Sequence, residues 1–185
     1  EAYIKNVDGI TSRSQGFQNQ YQFINATGSY LIKGVDFLAN KQFKSFSTWL
    51  GYSFSTNDYN FSELNNGQPF PNNIDLRHQL TFAGTYAINQ LKIAFGMNWH
   101  SGRPITHYNE SNPLLNNSLN FLNPNNSNLS NYFRADCSAT YKFKIFKKYN
   151  GHLGLSIWNL FNTKNLVNSY FTLSEENNIF KNNIF

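Results

Sequence analysis

Arg77, His100 and Arg103 are the residues of this 185-residue chain whose types could hold a charged small molecule: two permanent guanidinium cations and an imidazole. A guanidinium fork meets a carboxylate through two parallel hydrogen bonds, so the cluster would suit an anionic ligand such as a carboxylate- or catecholate-bearing chelate. The same three side chains could instead join Asp75 and Asp136 in an ion-pair network that only orients a wall. A second arrangement sets His78 opposite Ser101, the pairing of a base with a hydroxyl nucleophile. No orienting third group accompanies it, and no Gly-x-Ser-x-Gly turn exposes a serine, so an enzyme is not expected. His100, His107 and Cys137 lack the spacing of a metal-ligand set. Neither a bound metal nor another cofactor is expected.

These residues must be positioned by strands. From Ile74 to Ile88 the even positions read Ile, Leu, His, Leu, Phe, Gly, Tyr, Ile, while the odd ones are Asp75, Arg77, Gln79, Thr81, Ala83, Thr85 and Ala87. After a turn at Asn89-Gln90 the alternation resumes, with Leu91, Ile93, Phe95, Met97 and Trp99 on one face. Pairing the two as a hairpin sets Leu80 opposite Trp99, Phe82 opposite Met97 and His100 opposite Gln79. Tyr132 to Ile145 alternates in the same way, and Leu153, Leu155 and Ile157 extend its apolar face beyond a turn. Val35 to Ala39 and Phe46 to Phe54 alternate less cleanly, because Leu38 and Trp49 fall on the polar face. Ala2 to Thr11 forms a further strand.

Composition narrows the setting. No apolar run is long enough for a transmembrane helix, a single Cys excludes a disulfide scaffold, and 17% aromatic residues are too many for a disordered chain. The net charge of +5 is spread over short turns, so nucleic acid is not an expected partner. Only 14% of residues are charged, where a soluble surface usually needs about 25%. Short turns alternate with long Asn-rich stretches at 12–27, 56–73 and 104–130, the asymmetry of an up-and-down barrel with short periplasmic turns and long external loops. Tyr30, Tyr52, Phe54, Tyr86, Trp99, Tyr132, Phe143 and Phe146 stand near strand ends, where they would suit interfacial girdles. The alternation also fits a soluble ligand-binding barrel or a self-contained small outer-membrane barrel of structural or adhesive role.

Five segments resemble one family in its own order: Gly34-Val35-Asp36-Phe37, the run Phe70 to Leu80, Trp99 to Pro104, Tyr132 to Asp136, and Ile157 to Asn165 with its Asn159-Leu160-Phe161-Asn162 element. Together they are similar to the C-terminal barrel strands of TonB-dependent outer-membrane receptors. The resemblance implies an all-β, antiparallel up-and-down transmembrane segment of 7–8 strands. Residues 1–185 would then be one incomplete domain, the C-terminal portion of a 22-strand barrel. It implies TonB-energised uptake of a scarce ligand, an iron chelate, cobalamin or a glycan, across the cell outer membrane. The implied partners are outer-membrane lipid, the plug and remaining barrel strands, the TonB complex reached through that plug, and the small-molecule or glycan ligand. The element Asn159 to Asn162 is expected within a strand, and Asn177 to Ile184 lacks the alternation of a last barrel strand.

Overall fold

The computed structural model describes residues 1–13, 25–121, 123–146 and 148–185. Among them the chain runs β1 (Ala2–Arg13), β2 (Asn25–Gln42), β3 (Phe46–Phe61), a 3-10 turn (Asn65–Gly67), β4 (Phe70–Pro71), β5 (His78–Ile88) and β6 (Leu91–His100). It continues through β7 (Pro104–Ile105), β8 (Leu114–Leu115), β9 (Ser118–Leu119), β10 (Ser127–Asn128), β11 (Tyr132–Ile145), β12 (Tyr149–Ile157), β13 (Asn168–Leu173) and β14 (Ile179–Ile184). The long strands form one antiparallel sheet in the order β1-β2-β3-β5-β6-β11-β12, with β4 beside β3. Apart from β4, each strand neighbours the next long strand in sequence, the meander of an up-and-down barrel. The sheet is not closed, because β1 and β12 are its two edges.

Alternation sets the register, since a slip of one residue would turn every side chain to the wrong face. Leu80 pairs with Trp99, Phe82 with Met97 and Gln79 with His100, as the pattern predicts. The apolar face then runs without a break: Phe54 and Tyr52 lead through β5 and β6 to Phe133, Ala135, Cys137 and Ala139 of β11, and on to Leu155 and Ile157 of β12. Among the described residues the turn after β12 reaches back to this face, setting Phe161 5.9 Å from Phe133 near the buried Ala135, and most of the rest lies open. Leu153 and Leu155 are 68% and 69% exposed, and no large side chain is fully buried among the described residues. A sandwich or a closed soluble barrel would cover that surface.

From Leu91 to Trp99 the strand climbs about 27 Å, which at a tilt of about 40° spans roughly 20 Å, close to the ~25 Å apolar band of a membrane barrel. Outward aromatic rings mark both ends of that band. Phe46 pairs with Tyr86 near the short turns, while Phe54 and Phe133 stand with Trp99 near the long connections. Two residues of the expected girdles lie elsewhere. Tyr30 pairs with Tyr59 on the polar face, and Tyr132 stacks on His100 there, because each falls on the inward parity of its strand.

The expected loop at 56–73 is partly strand, since β3 continues to Phe61. Its last turnings are held by a small core of Ala26, Phe61, Leu64 and Phe70, against which Ile10 and Tyr59 pack. At β2 and β3 the polar parity therefore turns apolar near the long-loop end. Residues 14–24 of the first long connection lie outside the described residues.

Two further expectations are revised. The element Asn159 to Asn162 is a turn beyond the end of β12. The Asn159 N–H donates to Asp136 Oδ1 (2.8 Å), its amide bonds both the N–H (3.0 Å) and the carbonyl (3.1 Å) of Thr163, and Asn162 N–H closes on Asn159 O (2.7 Å). Asn159 and Asn162 take positive φ values of 51° and 50°, a region asparagine tolerates better than most residues. The stretch Ile179 to Ile184 is a strand despite its lack of alternation. It pairs with β13 in a separate hairpin, where Asn182 donates to Thr172 Oγ1 (2.9 Å) and Ser169 to Asn183 Oδ1 (3.0 Å), so side-chain hydrogen bonds replace an apolar face.

Candidate functional site

Arg77, His100 and Arg103 lie at the long-loop end of β5 and β6, each with partners of its own. Asn72 shapes the approach to β5: its backbone N–H donates to Asn57 O (2.8 Å), its carbonyl accepts from Asp75 N–H (2.9 Å), and its side chain reaches Asn57 Oδ1 (3.3 Å). This delivers Asp75, almost fully buried, beside Asn57 of β3. Asp75 Oδ1 accepts the Asn57 N–H (3.1 Å), and Oδ2 accepts Nε of Arg77 (3.0 Å). Burial pushes the Asp75 carboxyl above the usual carboxylate range, and the Arg77 and Asn57 donors only partly offset that. Arg77 is half exposed, and it makes no other ion pair among the described residues.

His100 lies between Gln79 and Tyr132 in the ladder, its ring parallel to that of Tyr132 at 4.8 Å and 4°. Its Nδ1 is 2.8 Å from Ser101 O; a carbonyl only accepts, so Nδ1 carries the proton and Nε2 of the neutral ring is an acceptor. Arg103 is turned away to a different task. Nε and Nη2 donate to Val167 O (3.2 and 3.1 Å), and Nη2 also to Asn168 Oδ1 (2.7 Å), tying the segment before β13 to the loop after β6. The network expected to join these residues to both Asp75 and Asp136 is split. Arg77 holds Asp75, whereas Asp136 is held by Arg134 (2.9 Å), whose guanidinium also covers the Trp158 ring at 5.5 Å.

Asparagines and glycine stitch the long loops into a shelf. Asn125 donates to Pro71 O (2.7 Å), linking the connection after β6 to β4, and Gly102 N–H donates to Asn131 Oδ1 (3.1 Å). Gly102 is needed for closeness: a Cβ there would overlap the carbonyl of Leu129. His107 packs its ring against Tyr108 (4.8 Å) and edge-on to Phe171 (4.6 Å), fastening the β13–β14 hairpin to the shelf. Asn165 spans both backbone groups of Phe133 at 2.9 Å, accepting from N–H and donating to O. No signal in the sequence marks these amides as structural, because Asn is abundant in every long connection.

His78 and Ser101 do meet across the strands, but not as base and nucleophile. Ser101 Oγ accepts the backbone N–H of His78 (3.1 Å), while the His78 ring turns to the Tyr52 hydroxyl (2.9 Å) and lies 5.1 Å from the Phe54 ring. Ser101→Ala is expected to cost about 1 kcal/mol through the lost acceptor and to leave ester hydrolysis at background. Thermal unfolding in detergent and a chromogenic ester check both. Cys137 faces Phe95 and Ile157 on the apolar side, and the described residues contain no group of three His, Cys, Asp or Glu side chains placed to hold a metal.

A family model described as TonB dependent receptor-like, beta-barrel, matches residues 2–166. No curated protein and no solved structure matches the chain. The match ends before β13, so the hairpin lies beyond it.

Proposed function

We propose, because the chain belongs to the TonB-dependent receptor-like β-barrel family, that it forms the wall and external loops of a receptor that takes up a scarce ligand under TonB energy. The family is one of outer-membrane receptors and transporters. The observation that carries the reading is the continuous and largely exposed apolar face set behind a polar face whose long connections fold into a shelf. In hydrocarbon each unpaired backbone group costs several kcal/mol, so the open edges of β1 and β12 call for further strands of the same barrel. Residues 1–185 are thus read as one incomplete barrel domain. The plug and the TonB contact belong to the rest of the receptor.

Ligand contact is assigned to Arg77, through the guanidinium nitrogens that Asp75 does not engage, and to the acceptor Nε2 of His100. Arg103 contributes by tying the segment before β13 to the loop after β6. A ligand with carboxylate or catecholate oxygens suits the arginine, and a glycan hydroxyl suits the imidazole. In the full receptor, Arg77→Gln is expected to weaken binding of an anionic chelate about tenfold, the worth of one charge-assisted hydrogen bond. Arg77→Lys should retain most of it. Titration against a ferric catecholate chelate, cobalamin and an oligosaccharide identifies the class, and unchanged affinity for all three would remove Arg77 from the site. Uptake, but not binding, should vanish in cells lacking the energising complex.

A further inference from the structure

The charges of this chain are sorted along the strand axis. The short turns, Phe43-Lys44-Ser45, Asn89-Gln90 and the one after Ile145, share one end of the sheet, and Lys41, Lys44 and Lys148 stand exposed there. None of the three forms an ion pair among the described residues. The nearest strand carboxylate to Lys41 is Asp36, five residues and about 17 Å away along β2, roughly two Debye lengths at physiological salt. Among the described residues, this end of the sheet is a cationic rim whose lysines have no ion-pair partner.

Aromatic rings sit beside those cations. Lys41 Nζ lies 5.7 Å from the centre of the Phe43 ring, which stacks at 6.1 Å on Phe46; Lys148 Nζ lies 5.6 Å from the ring of Tyr149. Lys41 belongs to the apolar parity of β2, in line with Val35 and Phe37. A lysine on the lipid face is costly at mid-bilayer and nearly neutral at the interface, so this side chain fixes the height of the rim at headgroup level. Phe146 adds a second anchor: in the turn after β11 it takes φ 49°, which a bulky side chain adopts at a cost, and leaves its ring 91% exposed. An exposed aromatic ring held there against its backbone preference has its use in the interfacial layer.

We propose that Lys41, Lys44 and Lys148 bind the phosphate groups of anionic phospholipids in the leaflet that the short turns meet, with Phe43 and Tyr149 packing against the glycerol region. The inference rests on the membrane reading above. In a barrel of this family those turns are periplasmic, so the leaflet is the inner one of the outer membrane. Each lysine near an anionic surface is worth roughly a fivefold change in affinity.

The test uses the full receptor in neutral detergent, titrated with short-chain phosphatidylglycerol and phosphatidylcholine and, separately, inorganic phosphate, and read by native mass spectrometry. Phosphatidylglycerol is expected to bind at least tenfold more tightly than phosphatidylcholine, with a preference that fades at high salt. The triple variant Lys41→Gln, Lys44→Gln, Lys148→Gln should lose the preference, and the triple Lys→Arg variant should keep it. Equal binding of the two lipids, or a preference unchanged in the Gln variant, overturns the proposal. So does inorganic phosphate displacing phosphatidylglycerol at equal concentration, which would mark a free-anion site. A receptor that takes up neither lipid and stays monomeric in plain buffer instead overturns the membrane reading itself.

Discussion

Asp75→Ala in the intact barrel is expected to lower stability by about 2–3 kcal/mol, the cost of leaving buried donors without their acceptor. The carboxylate is nearly inaccessible and serves two donors, the Asn57 N–H and Arg77 Nε. Alanine leaves both without their acceptor and opens space beside Asn57 of β3. Asp75→Asn keeps an oxygen for the Asn57 N–H and should lose less than alanine. The pair of variants also separates charge from shape. Burial raises the folded carboxyl above its unfolded value, so the folded protein holds a proton that the unfolded chain has released. By linkage, the stability attached to that proton is fully present below the unfolded value and is lost as pH rises through the raised folded one. The wild-type barrel should therefore lose stability between the unfolded and the raised folded value while Asp75→Asn does not, when unfolding in urea is followed at several pH values. Parallel curves for the two proteins would show that burial does not raise the carboxyl above its unfolded value.

The same residue shows why parts of this molecule could be read from its sequence. Asp75 and Arg77 are two positions apart, hence on one face of an extended chain, and Arg134 and Asp136 repeat that spacing. Strand periodicity makes such pairs visible. It also made the β5–β6 register visible, because lipid would impose one demand on every outward position between Leu91 and Trp99 and a slip would violate all of them. Beyond the apolar band that demand ends. Tyr59 and Phe61 stay on the polar parity yet serve a dry core with Ala26, Leu64 and Phe70, and the strand pattern carries no sign of which apolar residues turn inward to each other. Arg103 is further out of reach: its partners are 64 and 65 positions away, joined by a hairpin whose strands show no alternation. The element Asn159 to Asn162 was legible as a mark of the family and misleading as structure, since hydrophobic residues at its centre resemble a strand while its two asparagines take the left-handed conformation that ends one.

The second large effect is expected at Asn165, whose side chain does the work of a neighbouring strand. β12 leaves the sheet at Ile157, and from there β11 would present unpaired backbone groups at the long-loop end. The Leu160 N–H takes the carbonyl of Ala135 (2.7 Å), and the Asn165 amide takes both groups of Phe133. A primary amide can do this because it carries a donor and an acceptor at the separation of a peptide group. Asn165→Ala leaves a partly buried N–H and C=O unsatisfied, at about 1–3 kcal/mol for each such group, and frees residues 158–167 for proteolysis. Asn165→Asp distinguishes hydrogen bonding from packing. At neutral pH its carboxylate can accept from the Phe133 N–H but sets a negative oxygen against the Phe133 carbonyl; once protonated, the acid donates to that carbonyl and restores both bonds. The neutral form is the one favoured in the folded state, so the folded value is raised and the stability it brings is present at low pH and lost as pH rises through it. Acidification should thus recover protease resistance and thermal stability in Asn165→Asp relative to Asn165→Ala measured at the same pH. If the two variants respond alike, the amide is merely filling space and the end of β11 is satisfied by other means.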